Sequence, residues 1–203
     1  MPRPALTDEQ RKAIRRAILE SAAALYADNG LSNVSVRAIA EHAGVSVGTV
    51  YSYFGSLSEL LQSLWRQPVR KLVQEMTKRV QALQSPVEQL GALLHAYVTF
   101  SVTEPEVFRS AFLFVRPKNL APPEQVAPAD DRFFKLFSQA IKRGQQGGQF
   151  RAGDPDELAQ MLLSSVHGAL ALPVNMHRLA LRQGPDIARQ VINAQLEWLQ
   201  TMD

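Results

Sequence analysis

Between Ser35 and Phe54 the chain sets hydroxyls, a guanidinium and two phenols at short, regular spacing: Ser35, Arg37, Ser46, Thr49, Tyr51 and Tyr53, with Val47 and Gly48 among them. No nucleophile sits beside a base here, and no metal-ligand set is formed. What these groups share is hydrogen-bond donation to anions and apolar cover for flat rings. Hydroxyls, arginine and helix-end N–H groups donate to phosphate oxygens, while valine or an aromatic ring covers a sugar or a thymine methyl. That is recognition chemistry rather than bond making.

To present such groups together, two short helices must meet at a fixed angle. Ser35 can cap a first helix whose inward residues are Val36, Ile39 and Ala40. Gly44 falls where the chain must turn tightly with a positive φ, which glycine reaches at no steric cost. Val45 plugs the turn, Ser46 caps a second helix, and Val50 and Phe54 bury its inner side. Val47, Gly48, Thr49, Tyr51 and Tyr53 stay outside. The pattern predicts a helix-turn-helix, whose second helix can enter the major groove of DNA.

The surrounding helix signals are regular. Thr7 with Gln10 forms a capping box, opening a helix over about Asp8–Asn29 that Gly30 stops. Ser56 with Glu59 opens a long helix interrupted by Pro68, where a bend or two helices end to end are expected. Further starts are read at Pro86, near Glu104 (capped by Thr103), near Ala129, after Asp154 and at Pro185. Four prolines between Arg116 and Pro128 predict a loop. The chain is therefore expected to be all-α, with about nine helices and no convincing strand. A DNA-binding domain is placed at 1–55, a connecting helix at 56–84, and a larger ligand-binding and dimerisation domain at 85–203.

Composition agrees with a globular chain: 203 residues, 46% apolar, 20% charged and a net charge of +3. Arg3, Arg11, Lys12, Arg15 and Arg16 concentrate positive charge ahead of the helix-turn-helix. With no cysteine there is no disulfide and no Cys-ligated metal. No signal core or apolar run long enough for a bilayer appears, so a cytoplasmic, nucleoid-associated protein with no membrane partner is expected. Metal binding and cofactors are not expected. No phosphate loop or nucleophile–base pair is found, and Asp130, Asp131, Asp154 and Asp156 lie at helix starts, where capping explains them. The expectation is of a non-enzyme.

Residues 11–64 resemble the DNA-binding domain of the TetR family of bacterial transcriptional regulators. The resemblance rests on Ala22-Ala-Ala-Leu-Tyr-Ala-Asp-Asn-Gly30, Ser35-Val-Arg-Ala-Ile-Ala-Glu-His-Ala-Gly-Val-Ser46, Gly48-Thr-Val-Tyr-Ser-Tyr-Phe54 and Ser58-Glu-Leu-Leu61. Gly148-Gln-Phe-Arg-Ala-Gly-Asp-Pro155 with Val166-His-Gly168 is similar to a subclass with a His-Gly pair on helix eight. The resemblance implies Arg37, Val47, Gly48 and Thr49 near base edges, Tyr51 on phosphate or a thymine methyl, and Ser35 and Tyr53 at or supporting backbone contacts; Ser46, at the start of the second helix, is counted with them as DNA-binding. The family usually carries lysine or another polar residue at Val47 and lysine at Leu57. The second departure removes one phosphate neutralisation per subunit, for which the N-terminal cations can compensate.

A single module of this size covers only about 600–1,000 Å2, so a homodimer on palindromic double-stranded operator DNA is expected. Small residues interleaved with large ones point to the last two helices as the dimer face: Leu158, Leu162, Ser165, Ala169, Ile187, Val191, Ala194 and Trp198. Within residues 86–180, the stretch from Phe100 to Phe137 alone holds seven of the nine phenylalanines, enough rings for a mostly apolar pocket as well as a core. Leu94, Tyr97, Phe108, Phe112, Phe137, Met161, His167 and Met176 are the candidate lining, and a small apolar or aromatic effector the expected ligand. Of His95, His167 and His177, the first two can each equally be a satisfied core histidine, and Arg109 and Arg116 are polar neighbours of the rings. The reading is a ligand-responsive repressor; the alternatives are a constitutive DNA-binding regulator or activator, or a dimeric helical interaction protein without DNA binding.

Overall fold

The computed structural model describes residues 6–29, 34–113, 126–176 and 178–200, without the side chains of residues 27–29, 65, 110 and 129. Arg3, Gly30, Phe114, Arg116, His177 and most of the proline-rich segment lie outside the described residues. Among those described there are nine α-helices, a 3-10 turn and no strand. The helices are α1 (Asp8–Asn29), α2 (Val36–His42), α3 (Val47–Phe54), α4 (Leu57–Gln81), α5 (Pro86–Thr103), α6 (Pro105–Phe112), α7 (Arg132–Gln146), α8 (Pro155–Asn175) and α9 (Gly184–Gln200). They form two compact units that divide at Gln67 and Pro68, within α4.

Most helices begin where their caps require. Thr7 N–H donates to Gln10 Oε1 at 2.9 Å and Gln10 N–H to Thr7 Oγ1 at 3.2 Å, a reciprocal capping box on α1. Ser56 Oγ accepts from Glu59 N–H at 3.1 Å, and Ser85 Oγ from Glu88 N–H at 3.5 Å. Asp154 Oδ1 takes the N–H groups of both Asp156 and Glu157, satisfying donors that a helix start leaves unpaired. α4 runs through Pro68 as one helix rather than two.

Two starts differ from expectation. Thr103 does not cap α6, because it is still in the last turn of α5 and its hydroxyl donates back to Thr99 O at 3.2 Å; Glu104 takes the cap position with no side-chain bond. α7 begins at Arg132 rather than Ala129, since residues 128–130 coil into a 3-10 turn and Asp131 Oδ1 caps Phe134 N–H at 2.8 Å.

The first unit has a core of Ile18, Ala22, Ile39, Ala40, Val50, Phe54, Leu60 and Leu61, drawn from α1 to α4, with Val34 from the chain just ahead of α2. In the second, α5 lies at the centre, packed by α6, α7, α8 and α9. Leu90, Leu93 and Leu94 of α5, Phe137 and Ile141 of α7, Leu162 and Val166 of α8 and Ile192 of α9 are completely buried. Gln89 is buried among them without loss, because its Nε2 donates to Val80 O and Leu83 O at 3.2 and 2.7 Å and its Oε1 accepts from Arg143 Nε at 3.0 Å. After α7 the chain turns back so that Phe150 packs over Gly144, where a Cβ would fall inside the ring. The Gly148–Gly153 segment is thus an anchored return rather than a strand. Arg151 N–H donates to Leu199 O at 2.9 Å and ties it to α9.

Candidate DNA-reading surface and effector site

α2 and α3 are joined by a helix-ending motif set by one residue. Gly44 adopts φ +67, so Gly44 N–H reaches Glu41 O at 3.2 Å and Val45 N–H reaches Ala40 O at 2.9 Å. Both bonds satisfy carbonyls that the end of α2 would otherwise leave open. Val45 is half-buried against the core, and Ser35 and Ser46 cap α2 and α3 through Ala38 N–H and Thr49 N–H at 3.1 and 3.0 Å. A shared hydrogen bond of 2.8 Å between Ser46 Oγ and Thr49 Oγ1 stiffens the first turn of α3.

The inner side of α3 is Val50 and Phe54, 1% and 4% exposed. Its outer side presents Val47 and Tyr51, 41% and 49% exposed, with Gly48 between them and Thr49 half-buried at the edge. Tyr53 leans back on the core and is half-buried. Ser35, Arg37 and Ser46 are exposed. The eight predicted DNA-contact residues therefore lie on α3 and at the starts of α2 and α3, with Tyr53 and Thr49 contributing partly to packing. Leu57 also packs partly on the core, which accounts for an apolar residue there.

Of the basic residues expected to compensate, several already have partners. Arg15 lies 4.9 Å over the Phe54 ring, holding α1 to α3. Arg16 pairs with Glu20 at 3.7 Å in full solvent, and Arg11 Nε donates to Leu6 O at 3.4 Å. Lys12 is exposed.

In the second unit, rings converge from four helices. Tyr97 of α5 meets Phe108 and Phe112 of α6 edge-on at 5.5 and 5.2 Å, Phe133 of α7 at 5.6 Å and His167 of α8 at 6.3 Å. Phe133 continues to Phe137 at 5.2 Å. Within this apolar cluster Tyr97 OH and His167 Nδ1 share a hydrogen bond of 2.8 Å. Burial pushes the Tyr97 phenol well above its ordinary value and lowers the His167 imidazole, so both are neutral at pH 7. In the Nε2–H tautomer, Tyr97 donates to Nδ1 and Nε2–H remains a donor beside the rings.

The predicted lining is only partly gathered here. Tyr97, Phe108, Phe112, Phe137 and His167 meet, and Leu94 is buried in the same core. Met161 and Met176 do not join them: they are 42% and 45% exposed, Met161 on the outward side of α8 and Met176 at its C-terminal cap. Phe133 belongs to the cluster although it was not among the candidates; its i, i+4 spacing to Phe137 was the available signal. Phe108 also borders an open groove of about 620 Å3 with Ser101, Arg109, Leu170 and Leu181. His95 is not a core histidine: it lies exposed on α5, its imidazole lowered by partial burial and then by Arg189.

The expected dimer face needs one correction. Leu162 is completely buried, on the inward stripe Ala159, Leu162, Val166 and Leu170 of α8, and cannot meet a partner. The opposite stripe is open: Ser165, Ala169 and Leu172 of α8, with Ile187 and Val191 of α9, border an apolar groove of about 550 Å3. Leu158 is half-buried. Ala194 is exposed, and Trp198 is 39% exposed under the Arg151 guanidinium at 4.3 Å. Among the described residues no group of three or more His, Cys, Asp or Glu is placed to hold a metal, and no helix is long and apolar enough to cross a membrane.

Comparison with known proteins gives a consistent answer. Residues 18–64 match the family described as bacterial regulatory proteins, tetR family, and residues 90–196 match the tetracyclin repressor-like C-terminal domain. The HTH-type transcriptional repressor KstR of Rhodococcus jostii (strain RHA1) is 30% identical over 132 residues, 64% of this chain and 61% of its own length. KstR2 of Mycobacterium tuberculosis (strain ATCC 25618 / H37Rv) is 27% identical over 180 residues, 87% of this chain and 86% of its own. The crystal structure of FadR from Bacillus subtilis in complex with stearoyl-CoA has the same fold, with a TM-score of 0.68 over 89% of this chain and 97% of that one at 18% identity. With an exposed reading helix in one unit, a helical second unit and both halves matched, the chain belongs to the TetR family of bacterial regulatory proteins and is a DNA-binding transcriptional regulator.

Proposed function

We propose that the protein is a homodimeric repressor that binds a palindromic operator and is released by a small apolar or aromatic effector. The observation that carries the DNA reading is the division of α3: Val50 and Phe54 are buried while Val47 and Tyr51 stand out by 41% and 49%. Thr49 and Gly48 lie between them, where a base edge can be approached closely. Val47 suits a thymine methyl and cannot read guanine by hydrogen bond, so A·T pairs are expected opposite it.

The open stripe on α8 and α9 supports pairing of two copies. Two α3 helices must then lie about 34–36 Å apart to enter successive major grooves. The ring cluster supports an apolar effector, with His167 Nε2–H as the donor that orients an acceptor oxygen on it. An effector that binds one arrangement of the dimer better than the other shifts the population away from DNA. The test is a titration of the dimer on palindromes from the DNA flanking its own coding region, at several salt concentrations, with and without small aromatic and apolar compounds. Saturable binding of one palindrome, weakened by a compound that also binds the free protein, is expected. A protein that binds no palindrome more tightly than random duplex would overturn the reading.

A further inference from the structure

A groove in the second unit has a different chemistry from the ring cluster. It is open, about 610 Å3, and runs between the C-terminal half of α4 and the outer face of α7. Lys78, Arg132 and Lys135 stand on its rim. Arg132 and Lys135 have no acidic partner among the described residues. Lys78 pairs with Glu75 at 3.1 Å, but both side chains are largely exposed, and such a pair holds a lysine weakly. Asp131, beside Arg132 in the chain, uses Oδ1 to cap α7. The adjoining groove contrasts with this one: there Lys135 and Lys142 share the rim with Asp154 and Asp156. No acidic residue lines the groove on the α4 side, although Glu75 pairs with Lys78 at its rim.

Of the remaining walls, Gln74 and Gln139 are exposed on the rim, while Val73, Thr77 and Leu136 are half-buried. Gln74 and Gln139 line the groove with amides that have no hydrogen-bond partner among the described residues. Val73 and Leu136 give it an apolar floor, and the Thr77 hydroxyl is already spent on Val73 O at 2.7 Å. Three cations exceed what one phosphate monoester needs, at about −1.5 to −2 charge near neutral pH, and suit adjacent phosphates. Two free amides above an apolar floor suit the polar edge and flat face of a base.

We infer that the α4/α7 groove binds a nucleoside polyphosphate, with its phosphates on Lys78, Arg132 and Lys135 and its base over Val73 and Leu136 between Gln74 and Gln139. The site is separate from the ring cluster, and its ligand bridges α4 to α7. Calorimetric titration of the full chain with ADP, adenosine and pyrophosphate, in the absence of DNA, tests it. ADP is expected to bind saturably, and adenosine and pyrophosphate each at least about tenfold more weakly, since each lacks part of the ligand's binding groups. Arg132→Ala with Lys135→Ala weakens ADP by at least about tenfold, whereas Lys142→Ala on the adjoining rim leaves it within about twofold. Single changes to Gln at Arg132 and Lys135 serve the same purpose should the double variant not fold. No binding at millimolar ADP, or equal binding by wild type and the double variant, overturns the site; pyrophosphate binding as tightly as ADP overturns the nucleoside. Because no DNA is present, failure here leaves the operator reading untouched, and failure of the operator titration leaves this one intact.

Discussion

Tyr51→Phe separates DNA contact from fold support more cleanly than any other change in the reading helix. The ring is 49% exposed, and its hydroxyl has no protein partner among the described residues. Removing one oxygen there should change stability by no more than about 0.5 kcal/mol. If that hydroxyl donates to a phosphate, the bond is to a charged acceptor and contributes about 1.5–3 kcal/mol. At about 1.4 kcal/mol per decade, its removal weakens affinity roughly 10- to 150-fold for each recognition helix engaged. A phenol is neutral and displaces no counterion, so the log–log salt slope should stay unchanged, whereas Arg37→Ala should lower it by about 1 for each phosphate that Arg37 neutralises. The effect does not depend on sequence, so fluorescence anisotropy on a random duplex at low salt can measure it before any operator is known. Phe54→Ala is the contrasting control: Phe54 is 4% exposed beneath Arg15, and its truncation should cost about 3–5 kcal/mol of stability. Wild-type affinity in Tyr51→Phe, or a weakening matched by a fall in the unfolding midpoint, would refute the assignment of this hydroxyl to DNA.

Other expectations follow from the second unit. Gly144→Ala puts a Cβ into the Phe150 ring and should destabilise by about 1–3 kcal/mol in urea melts. Leu172→Asp, on the exposed side of α8 at 49% exposure, should leave the monomer folded and halve the mass seen in sedimentation if that stripe is the dimer face. Burial lowers the His167 imidazole below its ordinary value of about 6.5. As pH falls below 6.5 the unfolded chain takes up the proton first, so stability present above that pH is lost on the way down. Urea melts at pH 7 and pH 5 should show a smaller drop for His167→Gln than for wild type, with His95 supplying part of the remainder. An equal drop in both would remove His167 from the explanation.

Elements and caps were legible because they are local. Thr7 with Gln10, Ser56 with Glu59 and Asp154 with its following N–H groups act across three residues or fewer, and Gly44 needs only its own backbone. The reading helix was legible for the same reason: one turn sets which of Val47, Val50, Tyr51 and Phe54 faces inward. Thr103 shows the limit, since whether it ends one helix or begins the next depends on where α5 stops.

Sequence alone therefore determined an all-helical chain, the helix-turn-helix and its outward residues, and the apolar character of the second half. Tertiary structure decided which stripe of α8 points inward, burying Leu162 and turning Met161 outward, because an amphipathic pattern with apolar residues on both sides does not say which side meets α5 and α7. It also decided the meeting of Tyr97 with His167, 70 positions apart, and of α4 with α7 around Lys78 and Arg132. Contacts between helices far apart in the chain are set by how whole helices stack, and no short-range spacing encodes that.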